Sequence, residues 1–486
     1  MKHDLPEAVA RASGDTANAN SSADSTLGER LAAQREAYLR APFPAWSERA
    51  RHLRALRDVL FANQDALADA MNADFGQRSK AEVALAEFVV LKQEIDSALK
   101  HGERWMRPQR RRAGKWLMPG RARVVPQPIG VAGIVVPWNY PLLLGAGPLV
   151  CALAAGCRAM IKMSELTPRT SALFADLIAQ TFAADHVTVV NGDAAVGAAF
   201  TALPFDHLLF TGSTRIGHEV MRAAAANLTP VTLELGGKSP ALIGEQARFE
   251  YAVDSLLLGK TLNAGQTCIA PDYVLLPRGK EEAFIVRAHQ RFNELYPDFA
   301  RNHDYTSIIS PKHYERLERL ADEAQAAGAQ LHALGPRDAA TRQFAPVLVT
   351  GAPAHTQLMQ EEIFGPLLPI VPYDSLDEAL RYVNARARPL ALYLYADDSQ
   401  TVDRVTRETI AGGMSVNETL MHIAAEGLPF GGVGASGMGS YHGYEGFCTF
   451  SKMKPVFTQA RLNGRHLIAP PYGKLFNTLI RLMLKF

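Results

Sequence analysis

Three residues of this sequence have types and settings suited to covalent chemistry on a carbonyl group: Cys268, Glu234 and Asn139. An ionised thiol is a strong nucleophile, a carboxylate can serve as a base, and an amide can donate to a developing oxyanion. Cys268 follows Gly265-Gln266-Thr267, near the end of a helical stretch or in the loop after it, among polar neighbours. Of the four cysteines, at 151, 157, 268 and 448, its setting alone suggests an exposed, ionisable thiol, whereas Cys151 falls in an apolar helix. Taken by type, a lone cysteine is more often an inert buried thiol. Glu234 closes an apolar run, Val231–Leu235, where partial desolvation would raise its pKa into a range useful to a base. Asn139 lies in Pro137-Trp138-Asn139-Tyr140-Pro141, a turn stiffened by two prolines, although it also suits a plain Asx turn.

A second set of residues suits a bound nucleotide. Lys162 and Glu165 follow the run Arg158–Lys162, where a lysine could reach ribose hydroxyls or a phosphate and a carboxylate could accept from both adenosine ribose hydroxyls. Their alternative is a solvated pair opening the next helix. Phe210-Thr211-Gly212-Ser213-Thr214-Arg215-Ile216-Gly217 leads into a helix, so Gly212, Ser213 and Gly217 could admit a pyrophosphate to unpaired amides. The spacing is not the Gly-x-Gly-x-x-Gly fingerprint, and a serine or threonine N-cap explains it equally well.

The elements that must position these residues follow from periodicity. Short apolar runs at Val131–Val136, Arg158–Lys162, Val187–Val190, His207–Phe210 and Val231–Leu235 alternate with helical stretches at Leu142–Ala155, Pro168–Phe182, Ala194–Ala202 and Arg215–Ala226. This alternation predicts a parallel sheet covered by helices, with ligands beyond the carboxyl ends of its strands. A second α/β region begins past Gly236, with helices at Tyr251–Asn263 and Lys280–Leu295 and strands near Tyr273–Leu276 and Leu367–Val371. Residues 27–107 read as helical, Leu428–Met438 as a glycine-rich loop, and Phe447–Phe457 as a last strand.

Bulk properties exclude several classes. The 486 residues exceed one ordinary core, and 48% hydrophobic with 21% charged residues is ordinary for a soluble globular chain. A net charge of +2 gives no whole-chain field for nucleic acid. The basic stretch Arg107, Arg110, Arg111 and Arg112 reads as a solvated loop leading into a hairpin at Val124–Val125. Four scattered cysteines make neither a disulfide framework nor a zinc site, so no metal is expected. Residues 1–30 show no secretory pattern, and Ala12–Ser25 reads as a disordered tail. Gly130–Cys157 is nearly uncharged, but Pro137, Pro141, Pro148 and Asn139 make it a strand, a turn and a buried helix rather than a bilayer span. Lys474–Phe486 is an amphipathic helix too short to span, for which packing on the protein is expected and peripheral membrane contact stays open.

Glu-Leu-Gly-Gly-Lys-Ser-Pro from Glu234 followed by Gly-Gln-Thr-Cys ending at Cys268 resembles the two signature regions of the aldehyde dehydrogenase superfamily. Pro-Trp-Asn-Tyr-Pro, Phe-Thr-Gly-Ser-Thr-x-x-Gly, Glu361-Glu362-Ile363-Phe364-Gly365-Pro366 and Pro429-Phe430-Gly431-Gly432 also match, in the family's order, over roughly residues 28–457. Gly434–Gly439 with Tyr441-His442-Gly443 resembles its class 3 branch. The resemblance implies an α/β fold: a Rossmann-like NAD(P)-binding domain (27–111 and 129–235), an α/β catalytic domain (236–428) and small oligomerisation strands (112–128 and 440–457). A tail at 1–26 and a C-terminal tail at 458–486 would flank them. It implies Cys268 as nucleophile, Glu234 as base, and Asn139 with the Cys268 amide as oxyanion donors. NAD, with NADP possible, would be held by Lys162, Glu165, Trp138, Gly212, Ser213, Gly217, Glu362 and Phe364. A cytoplasmic homodimer is implied, oxidising an aromatic aldehyde such as coniferyl aldehyde or a medium-to-long-chain aliphatic one. The rivals are a coenzyme A-acylating relative, which generally lacks the base, and a non-enzymatic protein on the same fold.

Overall fold

A computed structural model describes residues 26–485. The expected tail therefore lies outside the described residues, apart from Thr26, which opens a helix over 26–40. Further helices at Trp46–Ala62, Gln64–Phe75 and Val90–Trp105 fulfil the helical reading of this region.

The strands in chain order are β1 Gln109–Arg111, β2 Arg121–Pro128, β3 Val131–Val135, β4 Arg158–Lys162, β5 Val187–Val190, β6 His207–Thr211 and β7 Val231–Glu234. They continue with β8 Pro240–Ile243, β9 Tyr273–Pro277, β10 Gln330–Ala333, β11 Arg337–Asp338, β12 Gln343–Phe344, β13 Val347–Thr350 and β14 Leu367–Tyr373. The last four are β15 Ala391–Tyr395, β16 Gly413–Val416, β17 Gly437–Met438 and β18 Ser451–Thr458.

One sheet has the order β17-β7-β6-β3-β4-β5, and a second the order β10-β13-β14-β9-β8-β15-β16. In the first, β3 to β7 run parallel, and the chain moves outward from β3 through β4 to β5 before returning to β6 on its other side. The order thus reverses between β3 and β6, where adjacent carboxyl ends splay and leave a crevice. The turn with Asn139 and the loop with Gly212 leave from those two strands.

The uncharged segment after β3 resolves as expected. Pro141 starts the helix Pro141–Ala155, every residue of which is buried, and Gly156 ends it at φ 90°. A helix of Leu, Ala, Gly and Val buried all round belongs between layers of a core. Among the described residues no helix is long and apolar enough to cross a membrane, and no group of three or more His, Cys, Asp or Glu could hold a metal ion.

Three sequence expectations need correction. The glycine-rich loop after Leu428 contains β17, whose Gly437 pairs antiparallel with Glu234 at the end of β7. Two residues are too few to give a strand-like period, so only the tertiary partner reveals them. Phe447–Phe457 is not one strand: Gly443–Thr449 is helical and the strand follows. The C-terminal helix, Lys474–Lys485, has no buried residue, so it does not complete a core as expected. The hairpin is observed, and it begins inside the basic stretch, with β1 paired to β2 and β2 to β18.

Candidate active site

Cys268, Glu234, Asn139, Trp138, Gly212, Ser213, Glu362 and Phe364 line one cavity of about 430 Å³ at the crevice between β3 and β6. They come from five separated stretches of sequence. Each is held in place by a different local device.

Glu234 is the last residue of β7 and is 2% exposed. Pairing with Gly437, and donation from the Leu235 amide to the Ser436 carbonyl at 3.1 Å, pin the strand end. Neither carboxylate oxygen accepts a hydrogen bond. Burial without a partner pushes its pKa well above the ordinary carboxylate range. That fulfils the direction expected from the sequence.

Cys268 sits three residues past the turn Leu262–Gly265, in which Asn263, Ala264 and Gly265 adopt φ of 50°, 52° and 73°. Two non-glycine residues in succession in the left-handed region store strain that the surroundings must hold. Glu82 accepts from the Asn263 amide at 3.0 Å, and the Asn263 side chain donates to the Asn139 and Gln266 carbonyls. Gly265 is required because the Gly365 carbonyl sits where a Cβ would point. The thiol is half-buried rather than exposed, and Cys448 is equally half-buried, which corrects the expectation that Cys268 stands apart by exposure. Burial pushes the Cys268 pKa up to about 12, helped by the carboxylates of Glu362 and Glu234. The resting thiol is therefore neutral.

Asn139 is 3% exposed, and its side-chain amide donates to the Gln266 carbonyl at 3.2 Å. Its own carbonyl accepts from Arg78 and from Asn263. Arg78, with no exposed side-chain surface, pairs with Glu87 at 3.0 Å and Glu82 at 3.4 Å. Glu87 in turn accepts from the Leu142 and Leu143 amides at the start of the buried helix, where an anion is favoured. Arg78, Glu82 and Glu87 thus tie the Asn139 turn, the helix start and the Cys268 loop into one buried network. Sequence reasoning missed all three. Their spacing of four and nine residues within a helical stretch looks like an ordinary solvated face.

The remaining residues shape a nucleotide site. Ser213 caps the twelve-residue helix Thr214–Ala225, with its hydroxyl accepting from the Ile216 amide at 3.5 Å. Glu362 lies in a loop pinned from both sides. Arg316 donates to the Glu362 and Ile363 carbonyls, and Lys238 pairs with Asp272 and donates to the Glu361 carbonyl. Phe364, at φ 50°, meets the Trp138 ring edge-on at 5.4 Å between centroids. Glu362 Oε1 and Thr211 Oγ1 have no partner, and burial raises the Glu362 pKa to about 8. Unpaired buried polar atoms beside a helix N-terminus fit a polar, phosphate-bearing ligand. His313 and Arg316 also line the cavity and were missed, for want of any motif around them.

Three expected cofactor residues do not line this cavity. Lys162 ends β4 and is 3% exposed, its amine donating to the Met163 and Gly192 carbonyls at 2.7 and 2.8 Å. Glu165, three residues on, is exposed. Gly217 lies inside its helix, where a Cβ would strike Leu235, so its smallness serves helix–strand packing.

The aldehyde dehydrogenase family model matches residues 14–456. The chain belongs to the aldehyde dehydrogenase family. Like its relatives it is an oxidoreductase acting on aldehydes. It is 50% identical over 450 residues to a probable coniferyl aldehyde dehydrogenase of Pseudomonas aeruginosa, covering 93% of this chain and 94% of the relative. It is 45% identical to the coniferyl aldehyde dehydrogenase of Pseudomonas sp. strain HR199, covering 88% and 89%. Among solved structures, the substrate-bound state of Staphylococcus aureus AldH aligns with a TM-score of 0.89 at 36% identity, covering 94% of this chain and 99% of that one. A Mycobacterium tuberculosis aldehyde dehydrogenase complexed with NAD+ aligns at 0.82 and 28%, covering 91% of each.

Proposed function

We propose that this aldehyde dehydrogenase oxidises an aromatic aldehyde of the phenylpropanoid type, such as coniferyl aldehyde, to its acid with NAD. The observation that carries the chemistry is that Cys268, Glu234 and Asn139 open onto one cavity with Ser213 and Glu362. Two relatives named for coniferyl aldehyde support the substrate, and a solved relative holding NAD+ supports the cofactor.

Cys268 attacks the aldehyde carbon once its proton has left. With a resting pKa near 12, that proton needs an acceptor. Glu234 across the cavity is the acceptor, because its buried carboxylate has no other hydrogen-bonding partner. The thiohemiacetal oxyanion is stabilised by the Asn139 amide, which exchanges the Gln266 carbonyl for it, and by the Cys268 N–H. A nicotinamide, when bound, supplies the acceptor for the hydride that leaves this carbon. Ser213 and the helix behind it would hold the pyrophosphate, and Glu362 with Phe364 the nicotinamide side. Once Glu234 has passed the thiol proton to solvent, its carboxylate deprotonates the water that hydrolyses the thioester left on Cys268. Lys162 and Glu165, at the neighbouring strand end, would hold the adenosine ribose. Strands β2 and β18 would serve a homodimer.

The test is a panel of aliphatic and aromatic aldehydes with NAD and with NADP, run with and without coenzyme A. Coniferyl aldehyde with NAD should give the highest kcat/KM, with coenzyme A leaving the product an acid. A preference for long aliphatic aldehydes would refute the substrate, and acyl-coenzyme A formation would refute the hydrolytic step.

A further inference from the structure

A second cavity opens behind the wall of the first. It holds about 450 Å³ and shares Thr214, Gly236 and Glu362 with the cavity of Cys268. Its far side is the segment 385–388, which leads into β15 of the second sheet, whereas Thr214 opens a helix that follows β6 of the first. A ligand lying here touches both halves of the molecule, and such junctions are where small ligands are commonly held.

Three cations line this cavity, and two are already committed. Lys238 pairs with Asp272 and donates to the Leu358 and Glu361 carbonyls at 2.8 Å. Arg386 follows the helix Leu376–Asn384, donates to the Tyr382 carbonyl at 2.9 Å and lies over the Tyr382 ring at 3.3 Å. A cation in that position completes a helix C-terminus and needs no ligand. Arg388 is different. It is exposed and makes no hydrogen bond or ion pair among the described residues. Its stem is nonetheless placed, with Cδ 3.8 Å from where a Cβ on Gly434 would stand. The carbonyl of the next residue, Ala435, accepts from Thr214 Oγ1 at 3.1 Å. A guanidinium with all five donors free thus borders the same space as the start of the helix Thr214–Ala225, and both favour an anion.

The one acid among the residues lining this cavity is Glu362. Its Oε1 has no partner, and burial raises its pKa to about 8, so near pH 7 the carboxyl is largely protonated and leaves the arginine uncancelled. A carboxyl suits a hydroxyl, and a planar guanidinium suits a phosphate. Inorganic phosphate or a carboxylic acid product would match Arg388 but leave Glu362 unpartnered. A ribosyl phosphate presents hydroxyls at one end and the anion at the other, and so matches both.

We propose that Arg388 binds the phosphate carried by the nicotinamide ribose of the cofactor, an inference that rests on the NAD reading above. The dinucleotide is then gripped from both sheets, by the helix behind Ser213 on one side and by this guanidinium on the other.

The test is fluorescence titration of NADH into the full-length protein, its Arg388→Gln variant and its Arg388→Lys variant. Loss of one charge-assisted hydrogen bond should raise the Kd of the Gln variant about tenfold. The Lys variant should recover part of this, because an ammonium keeps the charge without the fork. Arg388 is exposed, so both variants should keep the parent's circular dichroism and melting temperature. Shorter ligands locate the contact. Reduced nicotinamide mononucleotide, which carries the phosphate, should lose the same factor in the Gln variant. Reduced nicotinamide riboside, which lacks it, and AMP, which carries only the adenosine side, should bind parent and variant alike. Equal NADH affinity in parent and Gln variant overturns the proposal, and so does an equal loss for the riboside or for AMP. Inorganic pyrophosphate that binds the parent, fails to bind the Gln variant and does not displace NADH would make this a separate anion site and equally overturn it. A parent that binds no NADH removes the NAD reading and the proposal with it, whereas unchanged affinity in the variant of a parent that does bind removes the proposal alone.

Discussion

Replacing Arg78 with Met tests whether the buried network beneath the cavity positions the reacting groups. Met keeps much of the volume but removes the cation between two carboxylates. Arg78 reaches Glu87 at 3.0 Å, Glu82 at 3.4 Å and the Asn139 carbonyl at 3.1 Å, all without solvent. Breaking one side of a buried pair costs about 3–5 kcal/mol, because the partner charge is left uncompensated. Burial already raises the pKa of Glu82 and Glu87, against the lowering effect of Arg78, so its loss raises both further. A carboxyl with a raised folded pKa stays protonated when the unfolded chain has ionised. Its contribution to stability is thus whole at low pH and lost as pH rises towards the folded pKa. Each carboxyl contributes about 1.4 kcal/mol per pH unit in that window. The variant should therefore be only modestly less stable than the parent near pH 5 and several kcal/mol less stable at pH 8. Denaturant midpoints at the two pH values measure this. The Asn139 turn also loosens, and a displacement near 1 Å at a reacting centre costs on the order of a hundredfold in kcat. Adding Glu87→Gln to the variant should restore part of the stability at pH 8. A destabilisation under about 1 kcal/mol that is the same at both pH values, with kcat unchanged, would refute the network's role.

Four further outcomes follow from the structure. Cys268→Ala should abolish oxidation, and Glu234→Gln should slow both the burst of NADH, because the Cys268 proton loses its acceptor, and the steady state by about a hundredfold or more, as loss of a general base does; a steady state within a few-fold of the parent's would contradict the base. Alkylation of Cys268 by iodoacetamide in the absence of cofactor should keep rising through pH 10, since its thiol is held near 12, and a plateau below pH 8 would contradict that environment. Glu94 is pushed up to about 8 by burial and contacts His442, itself held near 3. Below pH 6.5 the unfolded chain protonates His442 while it ionises Glu94, so the two effects offset each other; above it only Glu94 differs, and stability should fall as pH rises from about 6.5 to 8, a slope that Glu94→Gln should flatten in thermal melts.

Residue order alone determined the alternating elements around β3 to β7, because apolar periods of two and 3.6 are local properties of the chain. The runs predicted at Arg158–Lys162 and Val187–Val190 are β4 and β5 to the residue. It also determined which residues could do chemistry, since Glu234, Asn139 and Cys268 stand in motifs carrying their own context. Tertiary structure alone decided what surrounds them. Gly437 pairing with Glu234 joins residues about two hundred positions apart, and no local pattern foretells a two-residue strand. The Cys268 pKa depends on Glu362 and Glu234 converging from other loops, so a thiol that looked ionisable by its neighbours in sequence is neutral in space. Charge shows the same division: composition gave a chain near neutrality, and only folding brought the unpaired Arg388 to a cavity beside Glu362. Sums and periods survive projection onto a line, whereas burial and the approach of distant charges exist only after folding.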